Sequence, residues 1–294
     1  MIAGGCDLDE KGIRRAHFWL PHALASCLMA LLLGLGVGCR SASTRELRRN
    51  RNIEPFNFKV SSGRDEFQIE GYLARPGRSG RWPTLLILDP NAGTAGRCIT
   101  REDHFTQLGL NLACISLPGN GKSSGPGRFV GPQAVAATQH ALDLLAGRPD
   151  VDRARMGVWG LGNGAVAAGL VMDRDERARV VILQSGTYDL PEFWPKARLL
   201  TKLSILHQVW PSKRVLKERS VIDHLPRKLD CKVLILHGRK DRHAPVAQAE
   251  QLAVALRERG AEVQTRFFTH GGDRLGTRVD QTVAQFLRQN LAVD

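Results

Sequence analysis

Five short, uninterrupted apolar runs limit what this chain can fold into. Residues 84–88, Asn111–Ile115, 156–159, 180–183 and 233–236 contain no charged side chain. A half-exposed strand alternates polar and apolar residues, whereas a strand covered on both faces reads as a continuous apolar run. Helical periodicity fills the gaps, at 100–108, 132–146, 163–172, 246–259 and 280–291. Buried strands alternating with helices imply an α/β fold, a mainly parallel, doubly wound sheet with helices on both faces. A last strand is expected at Glu262–Phe268. Ahead of these units Phe56, Phe58 and Val60 alternate, 62–65 has turn chemistry, and Phe67, Ile69, Gly71 and Leu73 share a face. That pattern predicts an N-terminal antiparallel hairpin. Residues 187–229, with Trp194, Trp210 and several prolines, leave the rhythm and are expected to form a short lid insertion before the next strand.

The chain has 294 residues, 43% of them hydrophobic and 24% charged, which excludes a disordered or fibrous protein. Six scattered cysteines form no disulfide framework and no zinc-type spacing. Cys114 and Cys231 read as small buried hydrophobes and Cys98 as a thiol at a loop or helix start. The formal net charge is +13, from 42 Lys and Arg against 29 Asp and Glu. Charge alone is the whole case for a nucleic-acid partner; no reading motif accompanies it, and none is expected.

Between Arg15 and Arg40 there is no charged residue. Lys11, Arg14 and Arg15 precede an apolar core at 23–38, and small residues lead to Cys39. This resembles a bacterial lipoprotein signal, which implies lipidation at Cys39 and a place in the cell envelope. An uncleaved anchor and a simple secretory signal are the alternatives, since about 20 apolar residues span a bilayer. Five arginines follow (Arg40, Arg45, Arg48, Arg49, Arg51), which favours keeping the next domain on the cytoplasmic side if the segment spans. The expected organisation is therefore 1–39 as signal or anchor, 40–52 as a basic linker, and 53–294 as one domain with 187–229 as its lid.

Several segments fall in order at expected strand ends. After 156–159 comes Gly160-Leu161-Gly162-Asn163-Gly164 and a small-residue helix. After 233–236 comes His237-Gly238-Arg239-Lys240-Asp241. Phe267 to Leu275 holds His270, Gly272 and Asp273, and 117–125 is a glycine-rich loop. Together these resemble the α/β-hydrolase superfamily, in its dienelactone-hydrolase-like and prolyl-oligopeptidase-like branches, over about residues 55–291. The first segment resembles the nucleophile elbow G-x-S-x-G. The resemblance implies Asp241 as the acid that orients a histidine.

The chain departs from that pattern at the chemistry. Gly162 stands where the nucleophilic Ser belongs, and Asp273 where the His belongs; His270 lies three residues early. Asp89-Pro90-Asn91 replaces the His-Gly of the oxyanion segment; Pro90 has no N–H, and a carboxylate at Asp89 would repel an oxyanion. Asn91 and Asn163 are left as amide donors. Asp189 is a fallback acid, His237 a structural residue, and Ser123, Ser124 and Ser185 loop serines without an elbow. Trp194 and Trp210 either line a pocket or pack the lid down. Asp89, Asp241 and Asp273 form a weak candidate cation site, and no cofactor is expected. The expected function is a membrane-tethered, catalytically degenerate hydrolase relative that binds a small molecule in the strand-end crevice. The alternative is an active esterase or peptidase with a displaced nucleophile and His270 as base.

Overall fold

A computed structural model of the protein describes residues 52–89, 94–269, 275 and 278–291. The segment 1–39, with Cys39, and the linker to Arg51 lie outside them. Among the described residues no helix is long and apolar enough to cross a membrane.

The strands are β1 (Ile53–Ser62), β2 (Asp65–Ala74), β3 (Trp82–Leu88), β4 (Asn111–Ile115), β5 (Val151–Leu161), β6 (Ala178–Gln184), β7 (Lys232–Gly238) and β8 (Glu262–Phe268). They make one sheet in the order β1-β2-β4-β3-β5-β6-β7-β8. β1 and β2 form the expected hairpin, with Ser62 opposite Asp65. Gly63, in the two-residue turn, has φ +64°, a left-handed value glycine adopts without strain. β2 pairs antiparallel with β4, and every later pair is parallel.

The helices are α1 (Ala95–Cys98), α2 (Glu102–Thr106), α3 (Pro132–Ala146), α4 (Asn163–Val171), α5 (Leu190–Lys196), α6 (Leu199–Gln208), α7 (Lys213–Glu218), α8 (Val246–Arg257) and α9 (Arg278–Leu291). Alternate residues of each strand enter opposite cores. Leu86, Leu88, Val158, Val181 and Ile235 pack with Leu142, Ala167 and Leu252 from α3, α4 and α8. Leu85, Ile87, Trp159, Ile182 and Leu234 pack with Phe105, Val283 and Leu287 from α2 and α9. Each such leucine or isoleucine contributes roughly 1.5–3 kcal/mol of transfer free energy. This double covering is the reason the central strands are apolar without interruption.

The expected helix at 100–108 is instead α1, a 3₁₀ turn at Ile99–Arg101, and α2. It starts earlier because Thr94 caps it: its hydroxyl accepts from the Arg97 N–H at 3.1 Å. The start also carries a correction. Cys98 and Cys114 are not separate thiols but a disulfide, which ties the end of α1 to β4 inside the second core. Cys231 is free and buried, and burial pushes its thiol up to about 12. It remains the inert hydrophobe expected.

Residues 187–229 fold as α5, α6, α7 and a 3₁₀ turn at Ile222–His224, between β6 and β7. The buried Gln248 of α8 fastens their base: its Oε1 accepts from the Tyr188 and Asp189 N–H groups at 3.0 and 2.7 Å. Its Nε2 donates to Glu192 at 2.7 Å.

Candidate functional site

β5 delivers the chain to the carboxyl end of the sheet, where α4 begins at once. Gly162 occupies the turn with φ +54° and ψ −118°, and its N–H donates to the Gln184 carbonyl at 2.8 Å. A residue with a side chain pays about 1–3 kcal/mol for such a backbone. The flanking glycines are demanded by space. A Cβ on Gly160 would overlap the Gly164 backbone, and one on Gly164 would overlap the Leu88 carbonyl. The strand, the helix and the edge of β3 are therefore in direct backbone contact. This is the geometry of a nucleophile elbow, which holds one side chain out above the sheet. Gly162, at the tip of this turn, has no side chain.

Asn163 is the first residue of α4, and its side-chain Nδ2 is buried without a hydrogen-bond partner among the described residues. It is a donor beside the positive end of a helix. Asp89 sits at the end of β3, and burial pushes its carboxyl above the usual range despite Arg97 and Arg101 nearby. Pro90 and Asn91 lie outside the described residues.

The loop after β7 places Asp241 with its side chain almost wholly buried. Its Oδ1 accepts from the N–H groups of His243 and Ala244 at 2.8 and 3.0 Å. Its Oδ2 is buried and has no hydrogen-bond donor among the described residues. His237 Nε2 is 3.7 Å away but is engaged with the Ala244 carbonyl at 2.7 Å. That carbonyl can only accept, so Nε2 carries the proton and Nδ1 is the bare, unpartnered nitrogen. Burial lowers the affinity of His237 for a second proton, and the ring is neutral. His237 is structural, as expected. Among the described residues Asp241 keeps one carboxyl oxygen free, which an imidazole N–H would satisfy. His270, Gly272 and Asp273 lie outside the described residues.

Other candidates separate sharply. Asp189 is no spare acid: it caps α5, accepting from the Glu192 N–H at 3.0 Å. Ser123 donates to the Ser116 carbonyl at 2.7 Å and accepts from the Glu70 N–H, while Ser124 accepts from the Gln68 N–H. Both pin their loop to the sheet. Ser185 differs. It follows β6 directly with φ +53°, and its buried Oγ has no partner among the described residues. The sequence reads it as a loop serine like Ser123 and Ser124; the one local signal that sets it apart is its place between a buried run and Gly186. Trp194 packs on the lid core, but Trp210 is exposed, so the pair does not act together. Among the described residues no cluster of three His, Cys, Asp or Glu side chains is arranged for a metal ion.

Comparison with known proteins agrees with this geometry. The model of the prolyl oligopeptidase family matches residues 131–293, more than half of the chain. An uncharacterized protein of Mycobacterium tuberculosis is 28% identical over 206 residues, covering 68% of this chain and 66% of that protein. Acylamino-acid-releasing enzyme 2 of Oryza sativa is 28% identical over 212 residues, 65% of this chain and 27% of the rice enzyme. Among solved structures, a puromycin-hydrolyzing peptidase of Mycobacterium tuberculosis superposes with a TM-score of 0.69 at 20% identity, covering 82% of this chain and 40% of that one. The chain thus spans well under half the length of the peptidases it matches.

Proposed function

This chain belongs to the prolyl oligopeptidase family of α/β-hydrolases, and from that premise we propose that it is a membrane-tethered member whose crevice binds rather than cleaves. The observation that carries this reading is Gly162 in the elbow conformation. The turn is intact and offers no atom to attack a carbonyl. Losing the nucleophile of a serine hydrolase costs ~10⁶ in turnover, while oxyanion donors and substrate contacts survive. The α4 N-terminus and the free Asn163 Nδ2 suit a carbonyl or anionic oxygen. Relatives named for releasing acylamino acids and hydrolysing puromycin point to an acylated or aminoacyl ligand. Tethering rests on residues 1–39, with Cys39 as the lipidated residue and 40–52 as spacer. The Cys98–Cys114 disulfide supports an oxidising compartment such as the cell envelope.

The test is turnover of short-chain p-nitrophenyl esters by the full chain beside a Gly162→Ser/Asp273→His double variant. The proposal expects an inert natural chain and activity gained by the variant. Turnover by the natural chain that His270→Ala abolishes would overturn it.

One observation favours a second reading, an active hydrolase with a displaced nucleophile. Ser185 has a strained backbone and a buried, unpartnered Oγ, and it follows Gln184, the residue whose carbonyl holds the elbow N–H. Asp241 Oδ2 is free to orient His270 as base. On this reading a fluorophosphonate labels Ser185, and Ser185→Ala abolishes both labelling and turnover.

A further inference from the structure

Six large apolar side chains stand exposed among the described residues, and five of them fall between 199 and 210: Leu199, Leu200, Leu203, Leu206 and Trp210. Leu200 and Trp210 are each 77% exposed. Scattered exposed leucines are ordinary, but a contiguous cluster marks a surface that meets something. α6 is inverted relative to a helix of a soluble domain, whose apolar stripe faces the body. Its one fully buried residue, Ile205, packs with Leu190, Phe193, Ala197 and Leu216. At about 3.6 residues per turn the four leucines fall on the side away from Ile205. The helix is nevertheless part of the fold, since Gln208 Oε1 accepts from the Phe129 N–H at 3.2 Å.

The rim of this patch is cationic. From Lys196 to Lys217 the sequence has six Lys and Arg and no Asp or Glu. Arg198, Lys213, Arg214 and Lys217 are exposed, and among the described residues none of them has an acidic partner. A second copy of the chain is a poor occupant, because a symmetric pairing sets the same basic rim against itself, with +13 on each chain. A helix with Leu on its outer face, an exposed Trp210 two residues beyond its end, and Lys and Arg on either side in the chain matches an anionic lipid surface.

We propose that α6 and Trp210 dock on an anionic membrane leaflet, with the leucines in the acyl boundary and the basic rim on the headgroups. This extends the tethered reading above and is tested apart from it. The full chain is mixed with vesicles of phosphatidylcholine, with and without phosphatidylglycerol, whose acyl chains are brominated, and tryptophan quenching is measured. With anionic vesicles the natural chain should be quenched, and Trp210→Phe should remove that component. Leu200→Gln/Leu203→Gln should lose the quenching at unchanged melting temperature. Quenching identical in the natural and Trp210→Phe chains overturns the proposal. So does a detergent-solubilised dimer that Leu200→Gln converts to monomer, since a second copy then covers the patch. Flotation separates this from the tether: a chain that floats only with anionic vesicles keeps the docking face and loses the anchor. One that floats with neither loses both.

Discussion

The elbow between β5 and α4 and the outer face of α6 are opposite kinds of surface. At the elbow, backbone meets backbone and no side chain is present where the fold would display one. On α6, large side chains are displayed, and among the described residues they stay exposed. The elbow therefore tells what the scaffold was shaped to hold, whereas α6 tells what the molecule meets outside itself. Crowding makes the first intolerant of change, and openness makes the second tolerant, so substitutions should separate them.

The largest effect is expected at Gly164→Ala. The added methyl group must displace the Leu88 carbonyl in the middle of the sheet, and overpacking of this sort should cost about 3 kcal/mol, the upper end of the usual range. Chemical denaturation measures it; a cost below about 1 kcal/mol would mean the elbow is not the rigid element described. Next, Cys98→Ser/Cys114→Ser should lower stability by about 3 kcal/mol, the value for a loop of this length. Reductant should lower the melting temperature of the natural chain and leave the variant unmoved.

His237 gives a smaller effect, set by pH. Its folded-state pKa is lowered by burial, so the unfolded chain binds the proton more tightly. Its contribution is therefore complete above the unfolded value near 6.5 and lost as pH falls below it. His237→Gln, which preserves a donor toward Ala244, should flatten that part of the stability profile. An unchanged slope would show that His237 titrates normally. The smallest effect belongs to α6: Leu200→Gln should move stability by no more than about 0.5 kcal/mol. A larger loss would mean that the outer face is covered and the contrast with the elbow false.

Much of this was legible in the chain. The runs at Asn111–Ile115 and 233–236 locate strands because burial on both faces leaves no place for a polar residue. The elbow glycines are equally plain, because a tight strand-to-helix turn needs them within five residues. The start of α1 was missed, since the signal is a single Thr94 cap rather than a periodic stretch. The backbone of Ser185 was not legible either, since its positive φ is set in three dimensions and the sequence offers only its place before Gly186.

The sequence by itself determined the kind of sheet, the hairpin before it, and the glycines at the turn from β5 into α4. These are matters of pattern and of atoms, and both are local. Only the tertiary structure decided that Cys98 reaches Cys114, that Asp241 keeps one oxygen free, that Ser185 is unpartnered, and that α6 turns its leucines outward. Each of these depends on which segments, far apart in the chain, come to lie side by side. Hydrogen-bond partners and exposure belong to that juxtaposition, and a run of residue types does not carry them.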